Sequence, residues 1–547
     1  MTISSLRSLS QRASSGAQRA GLELQALRVM KEAGAIGGSS PRQLAQILGA
    51  IRTYGSVGGA VRIAAIKHPQ AVAIADERGE ITYGELDEQI NRLVNAFAEM
   101  GLRSGDSVAM LCRNHRSPLI VCFAASRAGL KNIWLNTGFS ARQATEVIER
   151  EGVDLLVHDA EFTDTVKEVE PRFGKFAVSV DGATDDELDA LIASGSPADP
   201  PGPSKPGKII LLTSGTTGTP KGAPRTEPKG LVVPASVLER MPMKAGEATV
   251  IGPPIFHGTG LLITLLNFAL GSKLVLRSKF DPAQLLDDIE AQRATTICLV
   301  PIMLQRILAL GPEEIGKRDL SSLKCIFTAG SQLPAEVSAQ TQELLGDVVY
   351  NLYGSTEVSV ATLATPEVVR EAPTSVGKPA LGVRIKILDD KGKELPTGQT
   401  GRIFVGATMQ FEGYTGGGHK EIIDGLMSTG DVGHFDAKGY LYIDGRDDEM
   451  IVSGGENVFP REVEELLITH EAISDVAVIG VEDPEFGQRL RAFCVKTPGQ
   501  DVSEKAVQDF VKENLARYKV PRDVVFLDDL PRNPTGKILK RELAQLP

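Results

Sequence analysis

The sequence predicts an α/β protein. A large N-terminal domain of layered α/β subdomains plus a β-rich subdomain is followed by a small C-terminal α+β domain. Three observations carry this reading. Helix and strand signals alternate to about residue 360. Thr82-Tyr83-Gly84-Glu85-Leu86, for example, leads into Leu93, Phe97 and Met100 at helical spacing, and then into the strand-like Ser107-Val108-Ala109-Met110-Leu111. From 380 to 445 the pattern turns to short strands with glycine turns, at Val383–Leu388, Arg402–Val405 and Tyr440–Ile443. After residue 448 strands and helices mix over about 100 residues, a length that suits an independent domain. The expected divisions are therefore 1–60 as an N-terminal extension, 61–447 as the main domain and 448–547 as the C-terminal domain.

A chain of 547 residues with 42% hydrophobic content has room for large cores and more than one domain. Its net charge of −11 and pI near 5.4 argue against a generic nucleic-acid binder, and no nucleic-acid partner is expected. Cys112, Cys122, Cys298, Cys325 and Cys494 form no CxxC pair and sit mostly in apolar runs, which reads as buried free thiols in a reducing, cytoplasmic setting. Seven histidines show no zinc-ligand spacing. The most apolar stretch, Leu261 to Leu270, is far shorter than a membrane span and carries Asn267.

The N-terminus stands apart. Residues 1–22 contain Arg7, Arg12 and Arg19, many serines and no acid. That composition suits a transit peptide or a basic tail in weak peripheral contact with the inner membrane surface, and the tail is the reading adopted. Ser40-Pro41 reads as an N-cap followed by proline at the first helical position. Leu44, Ile47, Leu48 and Ile51 then follow helical spacing, and Gly55 ends the run. Such an amphipathic helix packs on the main domain or faces a membrane, and the spacing leaves both open. Prolines 197, 200, 201, 203 and 206 mark a loop.

The stretch Thr213-Ser214-Gly215-Thr216-Thr217-Gly218-Thr219-Pro220-Lys221-Gly222 has almost nothing that builds a core. Flexible backbone N–H groups, hydroxyls and one lysine are what a polyphosphate needs. The β-rich Lys208-Ile209-Ile210-Leu211-Leu212 places this loop at the end of a buried strand. It is not a Walker A loop, because Gly215 is not followed at the required spacing by Gly-Lys-Ser/Thr. Further motifs follow in order: Pro253-Pro254-Ile255-Phe256-His257-Gly258-Thr259-Gly260, Thr328-Ala329-Gly330-Ser331, Tyr353-Gly354-Ser355-Thr356-Glu357, Ser428-Thr429-Gly430-Asp431, Gly445-Arg446, Ser453-Gly454-Gly455-Glu456-Asn457 and Pro534-Thr535-Gly536-Lys537. Each alone is weak; the ordered set is specific.

From about residue 60 to the end the chain resembles the adenylate-forming superfamily, and within it bacterial fatty-acid–CoA ligases, whose "GRDDEMIVSGGENVFP" and "LPRNPTGKILKREL" stretches are matched here. The resemblance implies an ATP- and Mg²⁺-dependent ligase that joins a carboxylic acid to coenzyme A through an acyl-adenylate. The acid expected is a medium- or long-chain fatty acid, with an aryl or branched acid, or loading of a carrier protein, as alternatives. The resemblance also assigns roles. The loop from Thr213 through Lys221 would hold the β- and γ-phosphates, Thr356 the α-phosphate and Glu357 the Mg²⁺. Tyr353 would stack on adenine, beside Gly354, with Gly330 and Ser331 as the other wall. Asp431 would accept from the ribose hydroxyls with help from Arg446. Lys537 would bridge the substrate carboxylate and α-phosphate, and His257 would flank the carboxylate or gate the acyl tunnel. Ser453, Gly454 and Gly455 would face pantetheine after the C-terminal domain swings about Asp448.

Without the resemblance, Lys537 reads as a surface lysine, Asp431 as a turn aspartate, Tyr353 as a core tyrosine, Glu357 as a solvated loop acid and His257 as a satisfied core residue. The chain also departs from the family. Ala223-Pro224-Arg225 stands where many relatives carry a histidine, which nominates Arg225 for a phosphate contact. Leu261 stands where some long-chain ligases carry a gating tryptophan, and the only tryptophan is Trp134. The acyl pocket expected from Phe256–Leu266, Phe327–Gly330 and Val358–Leu363 is apolar, which suits an alkyl or aryl acid over an amino acid.

Overall fold

The computed structural model describes residues 19–182, 186–213, 221–226, 230–406, 411–415, 417–449, 451–453, 456–483, 487–515, 517–533 and 536–546. Two α/β layers form the bulk of the molecule. In one, the strands Lys175–Val178, Leu155–Asp159, Ser107–Leu111, Lys131–Trp134 and Lys208–Thr213 run parallel, and Lys221–Thr226 closes the edge antiparallel. All five residues of Ser107–Leu111 are buried, as expected of a parallel strand covered on both faces. The other layer is a nine-stranded sheet. Its middle is parallel, from Val349–Ser355 through Cys325–Thr328, Thr296–Leu299 and Ala248–Ile251 to Lys273–Leu276.

The helix Tyr83–Met100 shows how local sequence seeds this architecture. Thr82 and Glu85 form a reciprocal capping box, and Gly101 closes the helix in the left-handed region at φ 97°. Leu86, Ile90, Leu93 and Phe97 line its buried side.

The β-rich subdomain is an antiparallel sheet of Arg384–Leu388, Gly401–Gly406, Leu426–Phe435, Ile422–Ile423 and Leu441–Arg446. A one-turn helix, Asp447–Glu449, leaves its last strand. From Ile451 onward the strands belong to a separate five-stranded sheet with its own core around Val463, Leu467, Val478 and Val507. Lys540 ties the end of the chain to this short helix and to the C-terminal core, with Nζ 3.1 Å from Glu449 Oε2 and 3.0 Å from Glu464 Oε1.

The N-terminal extension is helical. Helix α1 covers 19–32, α2 is Pro41–Gly58 and α3 is Ala60–Lys67. Ser40 caps α2 with Gln43 as its reciprocal partner, as the Ser-Pro start requires. Gly55, at φ 77°, does not end the helix but kinks it, and the helix continues to Gly58. The buried positions of α2 are Ala50, Tyr54, Val57 and Gly58. Tyr54 anchors it: its hydroxyl donates to Pro200 O at 2.7 Å, and the Arg127 guanidinium lies 4.9 Å over its ring. The stripe Leu44, Leu48 and Ile51 is exposed. Of the two placements left open by the spacing, the apolar stripe itself therefore does not pack on the main domain.

All five cysteines are buried free thiols. Among the described residues no helix is long and apolar enough to cross a membrane.

Candidate functional site

The site gathers where strand ends meet turns. Val349–Ser355 delivers Tyr353 and Gly354, and the chain reverses through Thr356 and Glu357 into Ser359–Ala364. Ser355 Oγ fixes the reversal by accepting the backbone N–H groups of Glu357 at 3.2 Å and Val358 at 3.3 Å. Gly354 is required by space: a Cβ there would lie 1.8 Å from Ser359 O.

The second contribution comes from the β-rich subdomain, where Asp431 pairs across its ladder with Arg446. The Tyr353 hydroxyl donates to Asp431 Oδ2 at 2.5 Å, and Arg446 Nη1 reaches Oδ1 at 3.3 Å. Burial raises the Asp431 pKa. Arg446, the Tyr353 hydrogen bond, Lys537 and Lys420 oppose that rise. The electrostatic reach of Lys537 matters, because it comes from the other end of the chain. Burial, and then the Asp431 carboxylate, push the Tyr353 phenol far above its ordinary value, so it remains a donor.

Lys537 is exposed, and its turn is held at both ends. Asn533 Oδ1 accepts from its backbone N–H at 2.9 Å, and Arg532 Nη1 donates to Gly536 O at 2.6 Å. Gly536, at φ 81°, seats the turn against the main domain, since a Cβ there would lie 2.4 Å from Ile302 Cγ2. Pro534 and Thr535 lie outside the described residues.

Glu357 faces a cationic corner. Its Oε1 accepts from the Tyr414 hydroxyl at 2.5 Å, and Lys221 Nζ sits 5.7 Å from the centre of the Tyr414 ring. Burial lowers the Arg225 pKa to about 10, and Glu357 opposes that fall. Arg225 is thus beside Glu357. Thr213 and Lys221 are paired across the strands Lys208–Thr213 and Lys221–Thr226 and so bracket the glycine loop. Ser214, Gly215, Thr216, Thr217 and Gly218 lie outside the described residues, as do Gly454 and Gly455. Ser453 is placed in the strand Ile451–Ser453, opposite Glu456.

His257 precedes the helix Gly258–Ala269 and lies against Phe256, with ring centroids 4.5 Å apart. Burial lowers its pKa to about 4, so the ring is neutral at ordinary pH. Among the described residues its buried Nε2 has no hydrogen-bond partner, and a buried polar atom of that kind calls for an explanation, of which contact with a ligand is one. Gly330, at φ 94°, and Ser331 follow Cys325–Thr328. A Cβ on Gly330 would lie 3.6 Å from Thr259 Oγ1, so the motifs at 257–260 and 328–331 are neighbours. Phe256, Leu261, Ile263, Leu266, Phe327 and Val360 pack in one core, while Val358 and Ala361 belong to an adjoining one. Trp134, at the end of Lys131–Trp134 and paired with Leu211, is buried in the same core as Phe256, Leu261 and Phe327.

Two residues escaped the sequence reading. Asn114 clamps the Pro253–Ile255 turn, donating to Pro253 O and accepting from Ile255 N, both at 2.9 Å. Tyr414 holds Glu357. Nothing local in the sequence distinguishes either, because their partners are 139 and 57 residues away.

A cavity of about 870 Å³ opens between the main domain and the last residues of the chain. Arg113, Arg277, Lys279, Arg306 and Arg532 line it, against the carboxylates Asp529 and Glu542. Elsewhere, Cys112, His115 and Asp159 lie close enough together to hold a metal ion. His115 is already committed, however: Nδ1 accepts from Ser117 N at 3.3 Å, and Nε2 is 2.8 Å from Asp159 Oδ1.

The family model described as AMP-binding enzyme matches residues 61–415, and the one described as AMP-binding enzyme C-terminal domain matches 462–537. The chain belongs to the AMP-binding enzyme family. Among curated relatives it is similar to a putative acyl–CoA ligase, YdaB, of Bacillus subtilis, at 31% identity over 84% of this chain and 93% of that protein. It is also similar to a feruloyl-CoA synthase of an Amycolatopsis species, at 32% identity over 87% of this chain and 96% of that one. Among solved structures it resembles o-succinylbenzoate CoA synthetase (MenE) from Bacillus subtilis in complex with its acyl-adenylate intermediate. The TM-score is 0.79 at 27% identity, covering 89% of this chain and 98% of that one. Asp431 and Arg446 lie between the two matched spans, in the stretch 416–461.

Proposed function

We propose that this protein is an ATP-dependent acid–CoA ligase that activates a hydrophobic carboxylic acid, with domains at 61–447 and 448–547 and an N-terminal extension at 1–60. The observation that carries the reading is the cluster of Tyr353, Asp431 and Arg446 in the main domain, with Lys537 of the C-terminal domain near enough to act electrostatically on Asp431. An acceptor carboxylate and its cation suit a ribose diol. A lysine delivered beside them, on a turn seated against Ile302, suits charge that develops at an α-phosphate.

In the first step a carboxylate oxygen of the acid attacks the α-phosphorus of ATP, and the bond to the bridging oxygen of pyrophosphate breaks. In the second the CoA sulfur attacks the acyl carbon, and AMP leaves with the C–O bond electrons. Both steps are dominated by positioning and charge stabilisation. Lys221, with the glycine loop from Thr213 to Gly218, binds the outer phosphates; Thr356 and Arg225 serve the phosphates nearer the reacting centre. Glu357, a hard oxygen donor, fits Mg²⁺, which supplies neutralisation of phosphate charge. Tyr353, Gly354, Gly330 and Ser331 frame the adenine. His257, neutral and with an Nε2 that has no partner among the described residues, meets the substrate carboxylate.

Arg113, Arg277 and Arg532 of the cavity are paired with Glu161, Asp288 and Asp475, so Lys279 and Arg306 are the lining cations that support CoA as acceptor through its phosphates. With Ser453, Gly454 and Gly455 brought round by rotation about 447–449, a pantetheine arm has a path to the acyl carbon. The apolar packing around Phe256, Leu261 and Phe327 supports an alkyl or aryl acid. A medium- or long-chain fatty acid and an aryl acid like that named for the feruloyl-CoA relative are the two substrate classes to compare.

The test is AMP and thioester formation from ATP and Mg²⁺ with linear, branched and aryl acids, with and without CoA. Thioester that forms only with CoA supports the ligase. Acyl-adenylate that never passes to CoA rejects CoA as acceptor, and absence of ATP consumption with every acid rejects the reading as a whole.

A further inference from the structure

We propose that the outer face of α2 docks the protein on an anionic lipid surface. Eight large apolar side chains are exposed among the described residues, and six of them lie between residues 24 and 51. On α2, Leu44 is 52%, Leu48 59% and Ile51 45% exposed. At about 100° per residue these three fall within one narrow stripe, roughly a quarter turn from the buried side held by Ala50 and Tyr54. The helix is thus fixed by one face and offers a second apolar face to the outside. On α1, Leu24 and Leu27 are exposed in the same way, at 69% and 44%.

Charge identifies the occupant. The chain carries −11 overall, yet residues 33–75 contain Arg42, Arg52, Arg62 and Lys67 and no acid. Arg62 is engaged by Asp87 and Asp199, and Lys67 Nζ by Ala35 O. Arg42 and Arg52 are exposed on α2, and among the described residues neither forms an ion pair. Residues 1–22 add Arg7, Arg12 and Arg19, also without an acid, and between the two stretches Glu23 and Glu32 are balanced by Arg28 and Lys31. An apolar stripe flanked by unopposed arginines is the pattern that settles in the headgroup region, where the side chains leave water and the cations meet lipid phosphates. A second copy of this chain fits less well, because a two-fold pairing through the stripe would crowd Arg42 and Arg52 against their own copies. The proposal is independent of the reaction. It places the enzyme where apolar acids partition.

The experiment is co-sedimentation of the full-length protein with vesicles of equal parts phosphatidylcholine and phosphatidylglycerol, and with phosphatidylcholine alone. Binding is expected on the anionic vesicles and is expected to weaken as salt rises. Leu44→Ser/Leu48→Ser/Ile51→Ser is expected to lose sedimentation, with an unchanged melting temperature. Arg42→Glu/Arg52→Glu is expected to lower affinity about tenfold or more. The proposal is overturned if the full-length protein stays in the supernatant, or if neither variant changes its binding. It is equally overturned if light scattering without lipid finds a stable dimer that the serine variant dissolves, since the stripe would then belong to a second copy.

Discussion

Asp431 holds a carboxylate in a poor place for charge, and its three neighbours make that tolerable. Burial raises its pKa, while Arg446, Tyr353 and Lys537 pull it back. Removing the guanidinium removes the largest opposing influence. Arg446→Met is therefore expected to move the acidic limb of the ATP-dependent rate upward in pH; an unmoved limb would show that Asp431 is not the group that must be ionised. Lys537→Ala is expected to slow acyl-adenylate formation at least ~100-fold, because charge at the reacting phosphate then goes unmatched. Thioester formation from supplied acyl-adenylate should be spared, and equal loss of both would point to misfolding instead. His257 carries a stability signature. Its pKa is lowered from 6.5 to about 4, so the unfolded state takes up the proton first as pH falls. Stability should decline from about pH 6.5 towards 4, by at most about 3 kcal/mol from this group. His257→Gln should flatten that part of a denaturation series, and an identical slope would remove His257 as its source.

At the scale of elements, the hairpin Val349–Ser355/Ser359–Ala364 is shaped for the turn it carries. A methyl group on Gly354 would lie inside the contact radius of Ser359 O, so the strands must part to admit it. Gly354→Ala is expected to cost about 2–4 kcal/mol in urea unfolding and to displace Thr356 and Glu357. Wild-type stability in that variant would mean the register is looser than its geometry indicates. Helix α2 shows what an element's own sequence does and does not contain. Its N-cap, its proline start and its apolar spacing were all legible, because each depends on neighbours within one or two turns. Which face was buried was not legible. Tyr54 and Ala50 won that side through Pro200 and Arg127, which are remote in sequence.

At the scale of the whole molecule, the C-terminal residues are seated on the rest of the chain by two contacts. Gly536 lets the Lys537 turn reach Ile302, and Lys540 ties the last helix to Glu449, next to the proposed hinge residue Asp448. Gly536→Val is expected to lift the turn from the main domain, lowering adenylation while leaving the melting temperature of each domain near wild type. A rate unchanged by that substitution would show that the turn does not dock there during the first step. The sequence by itself determined the α/β class and the alternation of strands and helices, which follow from periodicity and turn chemistry acting over a few residues. Tyr353, Glu357, Asp431 and Lys537 stood out there only through the resemblance of their ordered motifs to those of the adenylate-forming superfamily. Only the tertiary structure decided that Tyr353 and Arg446 share Asp431, that Tyr414 holds Glu357, that Asn114 clamps the turn before His257, and that the apolar stripe of α2 faces outward. Those contacts join residues 15 to 141 positions apart, and no local pattern records a partner at that distance. Packing and burial select it once the layers have closed.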